Sequence, residues 1–260
     1  MTSHQQNEPR IESGGGLWGG RRFVFDSLGS TNEWAKAHLN VLRPGDVVQA
    51  LLQTSGRGRQ SRRWIAQRGS LTLSLIVRRV QARKAPLIGQ SAALAVHELL
   101  KTYGFDALLK WPNDIMIHDR KIAGILSEAE WKAGVLIIGI GLNVNNSVAA
   151  EGMAALEGSA ISMKDTGEMD FDLDEVRDRL LGFCSTFIRE TRHRSGGWLT
   201  EKWMSADWLA GSRIAITGMN QSVRGRYNGL DTLGRLLLVD EEGVEKAFFT
   251  GDVKKVVNEL

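Results

Sequence analysis

A short loop rich in arginine offers the clearest chemistry in this chain. Residues 54–64 read Thr-Ser-Gly-Arg-Gly-Arg-Gln-Ser-Arg-Arg-Trp, and residues 47–97 contain nine basic side chains and no Asp or Glu. Arginine presents a planar fork of donors that matches phosphate or carboxylate oxygens, and glycine lets the backbone approach a ligand closely. This segment, which we name the Arg loop, therefore predicts a site for a polyanion, either a nucleotide or a nucleic acid.

A second motif lies between two predicted strands, and two more motifs follow it along the chain. Lys-Trp-Pro-Asn-Asp occupies residues 110–114, and Arg-Lys-Ile-Ala-Gly-Ile-Leu follows at 120–126. Gly-Ile-Gly-Leu-Asn-Val-Asn occupies residues 139–145, but no helix signal follows it, so it is not a dinucleotide-binding fingerprint. Its glycines lack side chains and are expected to let a ligand approach the backbone of a strand closely.

The composition is that of an ordinary globular protein with a local basic patch. The chain has 260 residues and a formal net charge of only +3, which argues against a general nucleic-acid binder. The one cysteine, Cys184, excludes an intramolecular disulfide and a multi-cysteine zinc site, and it falls at helical spacing among apolar residues. No apolar run is long enough for a membrane span and no secretory signal is recognisable, so we expect a cytoplasmic protein.

Hydrophobic periodicity predicts alternating strands and helices that position these motifs. Strands are expected at 23–25, 47–53, 71–77, 108–111, 115–118, 122–128 and 135–144. Ser30 to Glu33 has capping-box spacing and predicts a helix to about residue 39. Further helices are expected over 86–103 and 173–187, followed by a Trp-rich helix that contains Trp198, Trp203 and Trp208.

A change in texture after residue 210 predicts a second domain. Short strands with tight turns are expected at 213–217, 222–227, 236–239 and 246–249, which is typical of a small β-barrel. We therefore predict a flexible tail over residues 1–20, a main domain over 21–210 and a β-barrel over 211–260.

The order of the motifs resembles the biotin protein ligases. Ser-Thr-Asn at 30–32 precedes the Arg loop, then Lys-Trp-Pro-Asn-Asp, Arg-Lys-x-Ala-Gly-Ile-Leu and Gly-x-Gly-x-Asn, and the C-terminal module resembles that family's terminal domain. The resemblance implies an α/β (α+β) catalytic domain with a mixed sheet of the class II aminoacyl-tRNA-synthetase type, plus an SH3-like β-barrel. It also favours the monofunctional type, because only about twenty residues precede Phe23 and they lack helical periodicity.

The resemblance implies a two-step reaction. Biotin and ATP form biotinyl-5′-AMP and pyrophosphate, and the biotinyl group then passes to a lysine of a carrier domain, such as that of acetyl-CoA carboxylase. Such an enzyme must hold two anions together and protect the mixed anhydride from water. Lys110 is the predicted catalytic cation, with Arg59 beside it. The expected small-molecule partners are therefore biotin, ATP and Mg²⁺.

The resemblance to the biotin protein ligases also implies a role for individual residues of the matching motifs. The residues predicted to bind biotin are Ser30, Thr31, Asn32, Gln53, Gly56, Arg57, Gly58, Arg59, Thr72, Ser74 and Lys110. Those predicted to bind ATP and the adenylate are Arg57, Arg59, Arg62, Trp64, Asn113, Lys121 and Asn143. Asp114 either binds Mg²⁺ or has a structural role beside Lys121, and Trp64 either stacks on adenine or anchors the loop. Many relatives carry an aromatic residue where Thr72 stands, which predicts a less filled pocket wall.

Other functions remain open at this stage. Lipoate and octanoate ligases share the fold and the acyl-transfer logic, although the Arg and Lys motifs favour biotin. A ligase that also represses transcription needs an N-terminal DNA-binding module, for which no pattern is visible. A plain nucleic-acid binder predicts an affinity that falls steeply with salt. We expect no specific nucleic-acid partner and no membrane partner, and either a monomer or a homodimer.

Overall fold

Two β-sheets organise the chain. A computed structural model describes residues 8–147, 160–218 and 222–256. The larger sheet contains eight strands: β1 (Arg10–Glu12), β2 (Arg22–Phe25), β3 (Val47–Ala50), β4 (Ser70–Arg78), β5 (Leu108–Lys110), β6 (Asp114–Ile117), β7 (Arg120–Glu130) and β8 (Val135–Asn143). Their order is β1-β2-β3-β4-β8-β7-β6-β5, in which β2 and β3 are parallel and the other neighbours antiparallel. The predicted mixed sheet is confirmed.

Helices cover both faces of this sheet. On one face α1 (Thr31–Ala37) contacts β3, β4 and β8. On the other face α2 (Ala85–Thr102), α4 (Leu173–His193) and α5 (Gly196–Met204) enclose the larger hydrophobic core, and α3 (Met163–Gly167) is a short helix before them. The helices predicted at 86–103 and 173–187 correspond to α2, which ends one residue earlier, and to α4, which runs six residues further.

The period-two alternation of the central strands separates the core from a polar face. In β4 and β8 the alternate leucines and isoleucines enter the larger core: Leu71, Leu73, Leu75, Leu136, Ile138, Ile140 and Leu142. Successive side chains of a strand point to opposite faces, so Thr72, Ser74, Gly139 and Gly141 lie on the opposite face. These small and polar residues leave room for a ligand on one part of that face, whereas Ile76, Val135 and Ile137 on the same face belong to a smaller core with Ala35 of α1.

The C-terminal sheet has five antiparallel strands. They are β9 (Arg213–Thr217), β10 (Ser222–Leu230), β11 (Leu236–Asp240), β12 (Glu245–Phe248) and β13 (Asp252–Lys255), in the order β12-β11-β10-β9-β13. Four of these strands were predicted, and β13 was missed because its sequence, Asp-Val-Lys-Lys, has only one apolar residue. Tyr227 connects this sheet to the main domain by donating a hydrogen bond to the Asp207 carboxylate.

The prediction of a flexible tail over residues 1–20 is wrong for the part that the structure describes. Backbone pairing joins β1 to β2, and Leu17 is fully buried in the larger core. A polar three-residue strand has no hydrophobic periodicity, so only its pairing partner reveals it. The tail predicted for residues 1–7 lies outside the described residues.

Two local predictions near helix ends are also wrong. Ser30 is the N-cap of α1, yet its side chain makes no capping hydrogen bond, so the predicted capping box is not formed. Glu33 instead pairs with Arg57 and with Lys36. Trp208 is not helical, because α5 ends at Met204 and the chain then runs along β5.

None of the helices in the described part of the chain combines the length and apolarity needed to cross a membrane.

Candidate active site

A cavity of about 570 Å³ lies between the polar face of the larger sheet, the Arg loop and the start of β13. Most predicted site residues line it: Ser30, Thr31, Asn32, Gln53, Arg57, Gly58, Arg59, Arg62, Trp64, Lys110, Asn113, Asp114, Lys121 and Asn143. Gly56, Thr72 and Ser74 are not among the described lining residues. Motifs that are far apart in the sequence therefore meet around one enclosed volume.

One part of the cavity wall is a network of polar side chains backed by the Glu128 carboxylate. The Thr31 backbone N–H and hydroxyl donate to Gln53 Oε1 at 2.8 Å and 3.1 Å. Asn32 accepts a hydrogen bond from the Ser74 hydroxyl at 2.6 Å and donates to Glu128 Oε2 at 2.8 Å. These bonds fix the side-chain orientations, so this part of the cavity wall is preorganised for hydrogen bonds with a polar ligand group.

The predicted contribution of Thr72 and Ser74 to the cavity wall is wrong. Both side chains are on the expected face, but Thr72 is 2 % exposed and its hydroxyl donates to the Ala50 carbonyl at 2.7 Å. Ser74 is fully buried beneath Asn32. Ser74 therefore positions Asn32, which does line the cavity, and Thr72 donates a hydrogen bond to a backbone carbonyl of the neighbouring strand β3. Gly56 is close to the Trp64 carbonyl and the Gln53 amide, so it allows the Arg loop to approach its own return segment.

Arg57 is held beside this network by two carboxylates. It pairs with Glu33, and its guanidinium lies 3.7 Å from Glu128. Burial opposes ionisation of Glu128, but hydrogen bonds from Lys36 and Asn32 outweigh it and hold the Glu128 pKa below its usual value. Arg57 thus connects the Arg loop to α1 and β7, a role that the sequence did not indicate.

Arg59 and Arg62 connect the same loop to the C-terminal sheet. Arg59 donates to Asn113 Oδ1 at 3.1 Å, to the Gly251 carbonyl at 3.5 Å and to the Thr250 hydroxyl. Arg62 forms an ion pair with Asp252. Burial lowers the pKa of Arg59, but an arginine remains charged at neutral pH. Arg59 is therefore a partly desolvated cation that lines the cavity.

Trp64 is both an anchor and a wall of the cavity. Its indole lies on Gly141, where an added Cβ atom would be 2.4 Å from Trp64 Cε2. The Lys121 ammonium is 5.8 Å from the centre of the indole and forms an ion pair of 2.6 Å with Asp114. The glycine at position 141 is thus required for close contact with the indole, and the two roles considered for Trp64 are compatible.

Lys110 has an unusual environment for a lysine in a charged cavity. Among the described residues, no carboxylate lies within 4.0 Å of its ammonium, and the centre of the Trp208 ring lies 4.7 Å away. Burial lowers the Lys110 pKa, and the charge of Asp114 partly opposes this effect. Its ammonium therefore keeps its donors available for an incoming anion.

Two candidate ligands of the nucleotide are already engaged. The Asn143 amide donates to the Ile161 carbonyl at 3.1 Å, and its oxygen accepts from Asn146 at 3.2 Å. Asp114 is paired with Lys121, as the structural alternative predicted. Within the described residues there is no cluster of three or more His, Cys, Asp or Glu side chains that could hold a metal ion. Asp114 could contribute one carboxylate to a metal that a nucleotide brings with it.

The main elements missed by sequence reasoning come from the C-terminal sheet. Residues 251–254 line the cavity, although the sequence of this segment indicates only a terminal domain and gives no sign of a site. Glu33 and Glu128 are not among the predicted site residues, because the sequence pattern assigns Glu33 to a capping box and Glu128 to the end of a strand. The absence of acidic residues over 47–97 was a usable signal, since it implied that counter-charges must come from elsewhere.

Comparison with known proteins places this architecture in one family. The model of the Biotin/lipoate A/B protein ligase family matches residues 24–145, and that of the biotin protein ligase C-terminal domain matches residues 210–256. The chain thus has the two-part organisation of a biotin protein ligase.

Individual relatives agree with the family models. The biotin–[acetyl-CoA-carboxylase] ligase of Mycobacterium tuberculosis is 31 % identical over 240 residues, which cover 88 % of this chain and 87 % of that protein. The bifunctional ligase/repressor BirA of Bacillus subtilis is 32 % identical over 240 residues, which cover 88 % of this chain and 73 % of BirA. The structure of the Aquifex aeolicus biotin protein ligase in complex with biotin and ATP matches with a TM-score of 0.79 and 26 % identity, and the match covers 90 % of this chain and 99 % of that one. The chain belongs to the biotin protein ligase family, and the predicted fold class is confirmed.

Proposed function

We propose that this protein activates biotin with ATP and transfers the biotinyl group to a lysine of a carrier protein. In the first step a carboxylate oxygen of biotin attacks the α-phosphorus of ATP, the bond to the β-phosphate oxygen breaks, and pyrophosphate leaves. In the second step the acceptor amine attacks the acyl carbon, the bond to the AMP oxygen breaks, and the amine loses a proton. The products are AMP and a biotinylated lysine.

The observation that supports this function is the charge pattern of the cavity. Hydrogen-bonding side chains at Thr31, Asn32 and Gln53 suit the urea-like ring of biotin, while Arg59 and Lys110 supply positive charge elsewhere in the cavity. Anions in the cavity interact strongly with these two cations, because burial leaves them poorly screened by solvent. The unpaired ammonium of Lys110 is suited to the point where the carboxylate and the α-phosphate meet.

The residues divide by role under this proposal. Ser30, Thr31, Asn32 and Gln53 bind the ring of biotin, and Trp64 with Asn113 and Lys121 borders the nucleotide. Lys110 neutralises the two reacting anions, while Arg59 and Arg62 cover the phosphates. Each charge-assisted hydrogen bond of this kind contributes about 1.5–3 kcal/mol. Arg57 fastens the Arg loop over the ligand through its pairs with Glu33 and Glu128, in addition to any contact with the phosphates.

Mg²⁺ is proposed as a companion of ATP. Mg²⁺ usually takes one or two carboxylates together with substrate phosphate oxygens, and Asp114 is a cavity carboxylate beside Lys121. When bound, the ion would neutralise phosphate charge. The protein's own contribution is to present Asp114 and to shield the phosphates with the Arg loop.

The acceptor and the cellular setting belong to the same proposal. A relative is named as a biotin–[acetyl-CoA-carboxylase] ligase, which favours a carrier domain of that type as acceptor. The chain has one cysteine, Cys184, and cannot form an intramolecular disulfide, which favours a reducing compartment such as the cytoplasm. β8 lies between β4 and β7, so neither of its edges is free to pair in a dimer. We retain both monomer and homodimer.

The decisive test measures which carboxylic acid substrate triggers release of pyrophosphate from ATP. The protein is incubated with ATP and Mg²⁺ and with biotin, lipoate or octanoate, and pyrophosphate and the acyl-adenylate are measured. We expect release with biotin and little with the other two acids. Release with lipoate or octanoate but not with biotin would assign the protein to the alternative ligases, and no release with any acid would contradict the proposed function.

A further inference from the structure

The indole of Trp208 occupies a place next to the cavity that the mechanism above does not use. The chain after α5 runs parallel to the exposed edge of β5, where the Leu109 N–H donates to the Ala206 carbonyl at 2.7 Å and the Trp208 N–H donates to the Leu109 carbonyl at 3.0 Å. These bonds hold Trp208 beside the last residue of β5, Lys110. The backbone of Trp208 is thus fixed next to that of Lys110, so their side chains are neighbours because of the chain path.

The ring orientation is fixed independently of the backbone. Trp208 Nε1 donates to Asp119 Oδ1 at 2.6 Å. Asp119 lies in the turn between β6 and β7 with a φ of +59° and lines the cavity. A tryptophan held at its backbone and at its indole N–H has little freedom to rotate, so its π face is a rigid surface.

Two ammonium groups lie within cation–π distance of this ring. Lys110 Nζ is 4.7 Å from its centroid, and Lys255 Nζ of β13 is 3.8 Å from its centroid. A cation within about 6 Å of an indole face is attracted by the ring quadrupole. The ring thus connects the C-terminal sheet to the position of the predicted catalytic ammonium.

An aromatic face has a consequence that a carboxylate partner would not have. A carboxylate in contact with Lys110 would neutralise it and would compete with the carboxylate and phosphate of the substrates. A π face attracts the ammonium but leaves its formal charge and its N–H donors free. We propose that Trp208 is a positioning residue that holds the Lys110 ammonium at the reacting end of the cavity without neutralising it.

This inference rests on the proposed function, because it assigns a partner to the lysine that acts in adenylate formation. Other charges around Lys110 come from several elements: Asp114 of β6, Lys121 of β7, Arg62 of the Arg loop and Asp252 of β13. Asp119 and Lys255 face the indole itself. A replacement of Trp208 that lacks the indole N–H also frees the Asp119 carboxylate. Two replacements that both lose this hydrogen bond but differ in the π face therefore isolate the effect of the ring.

The test compares Trp208→Leu, which removes the π face, with Trp208→Phe, which keeps a π face and loses the hydrogen bond to Asp119. The readout is steady-state formation of biotinyl-AMP. We expect Trp208→Leu to lower kcat about 10-fold while KM for biotin and ATP changes less than about 3-fold, and Trp208→Phe to stay within about 3-fold of wild type. Trp131→Leu is the matched control, because Trp131 is 53 % exposed and touches no part of the cavity.

The pH profile separates positioning from a merely structural role. Loss of the ring removes a stabilising partner of the ammonium, so the alkaline limb of the kcat profile should move to lower pH by up to about one unit in Trp208→Leu. It should not move in Trp208→Phe. Equal falls in both variants, with increased KM and an unchanged pH limb, would overturn the inference.

A shape-preserving substitution covers the case in which Trp208→Leu fails to fold. A tetrafluorinated tryptophan at position 208 keeps the ring and its N–H but weakens the negative π face. We expect kcat to fall by several-fold, and wild-type kcat would overturn the inference. This inference alone fails if the wild type is active, Lys110→Ala is inactive and all three replacements of Trp208 have wild-type activity. The proposed function fails if the wild type forms no biotinyl-AMP.

Discussion

At the scale of single residues, Lys110 and Arg59 line the same cavity but have different predicted roles in the reaction. Lys110 has no carboxylate partner among the described residues, whereas Arg59 already donates to Asn113, Thr250 and Gly251. An unpaired ammonium is available to a transition state, and a guanidinium with several protein acceptors is better suited to retain a bound intermediate. The two residues can therefore be separated by experiment.

Lys110→Ala should abolish adenylate formation while the fold survives. Removing one preorganised donor from a site of developing charge typically costs about 10²–10³-fold in rate. Biotin-dependent pyrophosphate release measures the effect, with thermal unfolding as the test of folding. Lys132→Ala, outside the cavity, is the matched control. Release at the wild-type rate by Lys110→Ala would rule out the assignment.

Arg59→Gly should still form biotinyl-AMP but release it prematurely. The loss of one charge-assisted contact, about 1.5–3 kcal/mol, corresponds to an intermediate released about 10–150-fold faster. Free biotinyl-AMP acylates exposed amines, so biotin should accumulate on lysines of unrelated bystander proteins. Arg68→Gly, at an exposed position just after the Arg loop and outside the cavity, provides the comparison. Unchanged selectivity of Arg59→Gly would show that Arg59 does not retain the intermediate.

The lowered pKa of Lys110 predicts a pH dependence of the first step. Burial disfavours the ammonium, so the folded pKa lies below the ordinary lysine value of 10.5. The protonated form is required, so activity should be present at lower pH and should be lost as pH rises through the lowered pKa. Bound anions favour the ammonium, and the alkaline limb of kcat should therefore lie at higher pH than that of kcat/KM. Coincident limbs, or a limb at or above pH 10.5 in the free enzyme, would contradict this.

At the scale of elements, β8 supports the cavity by lacking side chains at two positions. Gly139 lies beneath Asn32, and Gly141 lies beneath Trp64. An added Cβ at 141 would be only 2.4 Å from the indole, which is a rigid group that cannot easily move aside. The polar face of the sheet is therefore shaped as much by glycine as by hydrogen-bonding groups.

Gly141→Ala should displace Trp64 from the sheet. Overpacking of this kind costs about 1–3 kcal/mol of stability. The displaced indole should also raise KM for ATP, because the nucleotide part of the cavity loses a wall. Chemical denaturation and steady-state kinetics measure the two effects. Gly182→Ala in α4 has open space around the new Cβ and should be neutral or stabilising. Equal behaviour of the two variants would contradict the packing argument.

At the scale of the whole molecule, the C-terminal sheet completes the cavity. Residues 251–254 line it, and Arg62 pairs with Asp252 across the two parts of the chain. The Tyr227 hydroxyl donates to Asp207, and burial raises the pKa of both groups. The division into domains at residue 210 remains a prediction about folding, since the two parts share one site.

Much of this arrangement could be predicted from the sequence. The alternation over 71–77 and the helical spacing over 86–103 gave the core face of β4 and of α2, because apolar periodicity is a local signal. The motifs around the Arg loop, Lys110 and Asn143 are likewise contiguous. Thr72 and Trp208 could not be placed, because a partner from another strand or linker decides whether a side chain is satisfied, buried or exposed to a ligand. The contacts of the Arg loop with β13 are long-range for the same reason.

The central claim is that the Lys110 ammonium and the guanidinium groups of the Arg loop together neutralise two anions held in contact. A crystal structure of the wild-type protein grown with biotin and ATP tests it most directly. We predict biotinyl-AMP within the cavity, its ring at Thr31 and Asn32, and its phosphate within hydrogen-bonding distance of Lys110 Nζ and beneath Arg59. An adenylate bound elsewhere, or a filled cavity with Lys110 and the Arg loop turned away from the phosphate, would contradict the account.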